Sequence, residues 1–367
     1  MVTRRLCHLY TLIFIPLIFF LFFSFHPFIS HYSSLSFHTV LYNKGKCLPS
    51  DLLSVPYLII DEPFLSPSHS CPIINNISIA VSYEFRGNKQ LLVEVGEARD
   101  KNVNISLFYW KKEKDYWSFE GDYETRRMTP FETLAYSHVS LPANMERFIR
   151  EWRIGTSIEC TYQRMNRTSP ERKIPVTFID EMRLLRDILF PFDAHLILAG
   201  GTLLGWYREC SFIPHTTDID FFLLSSEYSP RLRSTLEGKR SPFHLFRVYG
   251  KPDDSYELSM TSKKNSKVNI DIFFLYTNEN ESWVGGLAWY ERKKYKWTYP
   301  RIDELCTAIL LETLFWIPCN VQQVLKEEYG EWQKDEDSND FVWYKSHRNV
   351  KENGFYTKDE MKGMRAF

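Results

Sequence analysis

Three aspartates carry the chemistry this chain offers. Asp218 and Asp220 alternate with Ile219 and Phe221 in the run DIDFFLL. A strand has a side-chain period of two, so both carboxylates point the same way. Side by side they repel and raise each other's pKa unless a cation sits between them. Oxygen ligands of this kind suit Mg2+ or Mn2+. Asp271 lies alone in KVNIDIFFLY, a β-branched and aromatic run that reads as a buried strand. A lone buried carboxylate is costly, and a metal shared with Asp218 and Asp220 would give it a partner. The three are the candidate catalytic and metal-binding residues. The pair would hold a cation that bridges phosphate oxygens, and the third would complete the metal site or take the proton of an attacking hydroxyl.

The elements around them can be read in order. Leu196 to Ala199 is a strand-type apolar run, ended by Gly200 and Gly201. Thr202 can cap a following helix over Leu203 to Arg208, and Phe212 to Pro214 lead into the aspartate strand. A glycine turn and a helix N-terminus offer backbone N–H groups to a phosphate. Gly200, Gly201 and Thr202 are therefore candidates for contact with a phosphate donor. Arg208 and His215 could contact phosphate too, or be an ordinary surface arginine and loop histidine. Upstream, Val176, Ile179, Met182, Leu185, Ile188 and Leu189 recur at helical spacing, and Pro191 closes that helix. Downstream, LAWYERKKYKWTYPR at 287–301 interleaves cations with rings, as a solvated hairpin or a phosphate- or glycan-facing edge. Glu304 to Trp316 and Val321 to Tyr329 read as closing helices, the second capped by Asn320 and ended by Gly330. Together these parts form the nucleotidyltransferase pattern. Asp-x-Asp alone also occurs in glycosyltransferases that use nucleotide sugars.

The rest of the chain sets the compartment. Arg4 and Arg5 precede an almost wholly apolar run from Leu6 to Phe25, long enough to span a bilayer and with no small-residue cleavage site after it. Residues 1–5 then form a cytoplasmic tail, 6–29 a signal-anchor helix, and the remainder faces the secretory lumen. Sequons at Asn76, Asn104, Asn166 and Asn280 agree with that placement as candidate glycosylation sites. Cys47, Cys71, Cys160, Cys210, Cys306 and Cys319 could form disulfides there, in a pairing the spacing does not fix. With 45 basic and 46 acidic residues, the charge balance gives no footprint for nucleic acid. Residues 30–72, rich in Ser, Pro and His, read as a stem. In 73–160, short alternating runs such as ISIAVSYEF, LLVEVGEA and VNISLFYW predict a β-rich lumenal domain of antiparallel type. The fold class expected is α+β, with a catalytic domain at 174–367 built as a mixed sheet with flanking helices.

The wording of the central stretch, LAGGTLLGWYRECSFIPHTTDID, resembles the LicD and fukutin families, which share GTLLG-x-x-R, a loop ending in Ile-Pro, and D-x-D. Thr216 and Thr217 stand where bacterial LicD proteins tend to carry further aspartates. VNIDIFFLY, WVGG at 283–286, IPC at 317–319 and EYGEW at 328–332 extend the similarity over roughly 174–345. The resemblance implies a Golgi type II membrane enzyme that moves ribitol 5-phosphate from CDP-ribitol to the O-mannosyl glycan of α-dystroglycan-like acceptors. It implies Asp218 and Asp220 on the metal and the CDP diphosphate, Asp271 as the third acidic residue, and other Golgi glycosyltransferases as partners. The competing expectations are a non-catalytic scaffold for glycosylation enzymes, and a metal-dependent nucleotide-sugar glycosyltransferase.

Overall fold

The computed structural model describes residues 52–66, 75–165, 172–335 and 342–366. The predicted membrane anchor, most of the stem, Cys47, Cys71 and Asn166 lie outside the described residues. Among the described residues no helix is long and apolar enough to cross a membrane. The described chain runs through β1 (Tyr57–Ile59), α1 (Glu62–Leu65), β2 (Asn76–Ser82), α2 (Lys89–Asp100), β3 (Asn104–Lys112), β4 (Trp117–Glu120) and β5 (Thr125–Met128). Next come β6 (Thr133–Tyr136), β7 (Val139–Pro142), α3 (Met145–Arg153), α4 (Ile179–Leu189), β8 (Ile197–Leu198), α5 (Gly200–Glu209) and β9 (Asp218–Leu224). Then follow α6 (Pro230–Glu237), β10 (Phe243–Lys251), β11 (Asp254–Ser262), β12 (Asn269–Thr277), β13 (Glu281–Ala288) and β14 (Lys293–Pro300). The chain closes with β15 (Leu305–Leu310), β16 (Thr313–Pro318), α7 (Val321–Tyr329), α8 (Trp343–Ser346), β17 (Val350–Phe355), α9 (Lys358–Met361) and β18 (Arg365–Ala366).

The chain divides into two compact units. One takes the described residues up to Tyr109 together with Phe131–Ile149, and the other takes Trp110–Pro130 and the described residues from Arg150 on. Residues 110–130, which the alternating pattern places in a single 73–160 domain, thus fold with the second unit. In the first unit β1 pairs antiparallel with β2 and parallel with β7, and β6 pairs antiparallel with β7. The module expected to be β-rich and of antiparallel type thus has antiparallel pairs with one parallel pair, β1 with β7, and it also carries a helix. LLVEVGEA, expected as a strand, lies inside α2. Asn88 caps that helix by accepting from the Leu91 N–H at 3.1 Å. Leu91 and Ala98, two turns apart, are its buried side chains.

The second unit is built on a mixed sheet with strand order β15-β16-β8-β9-β12-β11-β10-β18, from which β13, β14 and β17 branch at β12. β9 and β12 run parallel, as do β16 and β8. The α+β class and the mixed sheet match expectation, as do the strands at 218 and 269 and the helices at 179 and 321. The segment Glu304 to Trp316 does not: it forms β15 and the start of β16. Every residue of β16 is buried, so the period of two that would have marked a strand is missing. The hairpin turns at Leu311 and Glu312, both left-handed with φ of 48° and 64°. Asn320 makes no side-chain cap on α7, whereas Gly330 does end it at φ 68°.

An ion pair fixes the 110–130 segment to this sheet. Arg186 on α4 meets Asp115 through Nη1–Oδ2 at 2.6 Å and Nη2–Oδ1 at 2.9 Å, both side chains nearly inaccessible. Nη1 also donates to the Leu314 carbonyl at 2.7 Å, and the Leu314 N–H donates to Asp115 Oδ2 at 2.9 Å. Two disulfides brace the unit: Cys160–Cys210 holds the C-terminal end of α5, and Cys306–Cys319 ties β15 to the end of β16.

Candidate functional site

Register builds the site. β9 and β12 run in parallel with Asp220 opposite Asp271 and Asp218 opposite Asn269. The period of two then brings all three carboxylates to one face, and their ligand atoms lie within 4.8 Å of one another. Burial and the neighbouring charges of Asp218 and Asp271 push Asp220 well above the usual carboxylate range, against a hydrogen bond from the Gly201 N–H. Burial pushes Asp271 up to about 6, while the Ser259 hydroxyl and Arg247 pull the other way. Asp271 Oδ1 is buried without a hydrogen-bond donor. Crowded carboxylates with an unsatisfied oxygen are what a hard divalent cation resolves, and the three fit one.

The glycines matter through space. The α5 helix starts at Gly200, with Ala199 as its cap residue, so the glycines form its first turn. Gly200 has φ 47°, and a Cβ there would stand 2.8 Å from Asp220 Oδ2. Only a residue without a side chain lets the helix start this close to the carboxylate. Gly201 spends its N–H on Asp220. Thr202 does not line the cavity and does not cap the helix: it is buried, and its hydroxyl accepts from the Asp220 N–H at 2.9 Å. Thr216 donates to Asp218 Oδ1 at 3.1 Å.

The triad opens into a cavity of about 810 Å3, a size that suits a small ligand. Gly200, Gly201, Arg208 and His215 line it, with His215 half-buried. Arg208 is 2% exposed and its donors are taken. Nη1 binds the carbonyls of Trp332 and Lys334 at 3.1 and 3.0 Å. Nη2 reaches Glu209 at 2.8 Å and Asp335 at 3.1 Å. It anchors the 332–335 segment, which corrects its assignment to phosphate. In the 287–301 stretch the three lysines are paired as well, Lys293 with Glu352, Lys294 with Asp254 and Lys296 with Glu281. Its rings Trp297 and Tyr299 turn inward to the cavity.

Among the cavity residues that the sequence reading did not assign to the site are Arg247, Glu257, Glu328 and Tyr329. Glu257 follows from the β11 alternation that also places Ser259 facing Asp271. The signal was hidden because nearly all of β11 is buried on both faces. Burial and the Asp271 charge push Glu257 up to about 7. Burial pushes Glu328 up to about 8 despite hydrogen bonds from the Tyr299 and Tyr329 hydroxyls. His347, 3.6 Å from Glu328, is driven down to about 4 by burial, so the contact is between neutral groups.

Two domain families match the chain. Residues 193–320 match "LicD/FKTN/FKRP, nucleotidyltransferase domain", and 45–159 match "W02B3.4-like, N-terminal domain". The Caenorhabditis elegans uncharacterized protein T07A5.1 is 32% identical over 333 residues, 86% of this chain and 85% of that one. The W02B3.4 protein of the same organism is 32% identical over 327 residues, 84% and 81% of the two chains. The mouse ribitol-5-phosphate transferase FKTN is 29% identical over 235 residues, 60% of this chain and 48% of its own. The nucleotidyltransferase-domain match spans the glycine turn and all three aspartates, and the worm proteins align along most of their length, so this chain belongs to the LicD/FKTN/FKRP family.

Proposed function

We propose that this protein transfers an alditol phosphate, ribitol 5-phosphate, from a CDP donor to a glycan hydroxyl, in O-mannosyl glycosylation of α-dystroglycan-like acceptors. The observation that carries the reading is the aspartate triad, its ligand atoms within 4.8 Å of one another on the wall of a ligand-sized cavity. The partial similarity to ribitol-5-phosphate transferases supports the choice of alditol.

Asp218, Asp220 and Asp271 would hold Mg2+ or Mn2+. Bound there, the cation would neutralise charge on the phosphate oxygens and on the leaving group. Gly201 and Thr216 fix the two first carboxylates by hydrogen bonds, so that they are oriented before substrate arrives. The acceptor hydroxyl oxygen forms a bond to the alditol-bearing phosphorus, the bond from that phosphorus to CMP breaks, and CMP leaves with the electron pair. The hydroxyl proton would pass to Glu257, a cavity carboxylate on the strand next to Asp271 and outside the metal-binding triad.

The same reading places the enzyme in the Golgi membrane as a single-pass type II protein with its cavity in the lumen. Supporting it are the apolar run from Leu6 to Phe25, the two disulfides, and the exposed sequon asparagines Asn76, Asn104 and Asn280. A donor screen on the detergent-solubilised full chain tests the reading. CDP-ribitol, CDP-glycerol, CDP-choline and nucleotide sugars are each supplied with Mg2+ and a glycan acceptor. CMP release with product formation from CDP-ribitol is expected. Transfer from a nucleotide sugar alone, or none from any CDP donor, would contradict it.

A further inference from the structure

Arg247 stands in a row that crosses four adjacent strands. The registers place Arg247 opposite Ser259, Ser259 opposite Asp271, and Asp271 opposite Asp220. A cation therefore ends a row whose other end is the metal-binding carboxylates. Three arginines of this unit can be compared. Arg186 and Arg208 are 3% and 2% exposed and are held by bonds between 2.6 and 3.1 Å. Arg247 is 34% exposed and lines the cavity. Its Nη1 lies 3.3 Å from Ser259 Oγ, 3.5 Å from Glu257 and 3.9 Å from Asp271 Oδ1. The rings of Phe246 and Tyr249, 5.5 and 5.3 Å from the guanidinium carbon, support it without using its N–H donors. Other cavity cations are engaged or exposed: Lys334 pairs with Glu331, and Lys173 is solvent-facing.

We propose that Arg247 is the phosphate-binding cation of the site, gripping the phosphoryl group that is transferred. A planar guanidinium with loosely engaged donors suits two phosphate oxygens at once. The assignment rests on the phosphotransfer reading above and moves the phosphate contact from Arg208 to Arg247 on β10. Arg247 shares Asp271 with the metal site, so substrate arrival draws the guanidinium away from the carboxylates and onto the phosphate.

The test uses the full chain in detergent, as wild type, Arg247→Met and Arg247→Lys, titrated calorimetrically with Mg2+ alone, then with inorganic pyrophosphate or CDP in saturating Mg2+. Arg247→Met should keep or modestly strengthen Mg2+ binding, because a cation near Asp271 has gone. Its affinity for pyrophosphate should fall about tenfold or more. Arg247→Lys, which keeps the charge without the fork, should fall between. In transfer assays kcat should drop more than KM rises. Pyrophosphate binding by Arg247→Met within about twofold of wild type overturns the assignment, as does a matching loss of Mg2+ affinity, which would mean a purely structural role. Wild type that binds pyrophosphate but not CDP would sink the CDP-donor reading while leaving Arg247 tested. Binding of neither would sink both.

Discussion

Gly200→Ala is the substitution that joins fold to chemistry most tightly. The residue sits at φ 47°, and a Cβ there would stand 2.8 Å from Asp220 Oδ2 and 3.2 Å from its Cγ, where ordinary contact begins at 3.4 Å. The left-handed backbone costs an alanine about 1–2 kcal/mol, a fall of about 2–8 °C in Tm for a unit of this size. The carboxylate must also move by roughly 0.6 Å to clear the new methyl group. Mg2+ demands near-ideal octahedral geometry, and disturbing the support of a metal ligand weakens binding about 10- to 100-fold. Thermal melts with and without saturating Mg2+ separate the two effects. Wild type should gain Tm with Mg2+, and Gly200→Ala should start lower and gain little at the same concentration. Gly96→Ala is the control, since a Cβ at that position in α2 meets nothing within 4 Å. It should stabilise by about 0.5–1 kcal/mol and leave the Mg2+ response intact. A Gly200→Ala protein with the full wild-type Mg2+ shift would refute the reasoning.

Two further outcomes follow from buried charge. Asp115→Ala leaves the buried Arg186 with only the more exposed Asp187 carboxylate and the Leu314 carbonyl, and should destabilise by up to about 3–5 kcal/mol in chemical denaturation, while the double change Asp115→Leu with Arg186→Met recovers most of that loss. A single variant within 1 kcal/mol of wild type, on the order of a surface pair, would show that the pair is not what holds the 110–130 segment. Glu328 has its folded pKa raised from 4.5 to about 8, so its contribution to stability is complete below about pH 4.5 and is lost as pH rises through 8. Glu328→Gln cannot ionise, and its stability advantage in metal-free buffer should grow between pH 5 and pH 8.5 to roughly 3–5 kcal/mol at most. A pH-independent difference between the two proteins would contradict the assignment.

Much of the site was legible because its chemistry is written in local order. Asp218 and Asp220 alternate on one strand, and Asp271 sits alone in an apolar run, so their common face needed only the period of two. The parallel register that sets Asp271 beside Asp220 is not local, and Arg247 and Glu257 reach the site only through it. Arg208 illustrates the converse. Its place beside the glycine turn suggested phosphate, yet carbonyls more than a hundred residues downstream take its donors. The fold misreadings have one cause in common. β16 is buried on both faces and so loses alternation, whereas α2 buries so few side chains that its short apolar runs imitate a strand.

The central claim is that the three carboxylates hold the cation on which transfer depends. The most direct measurement is Mg2+-dependent CMP release from CDP-ribitol by full-length wild type and Asp220→Asn, with Mg2+ binding followed on the same samples. Asp220→Asn removes one of three crowded charges, so it should fold at least as stably as wild type without metal. It should bind Mg2+ far more weakly and release CMP only at background. A folded Asp220→Asn protein that releases CMP at the wild-type rate would contradict the account.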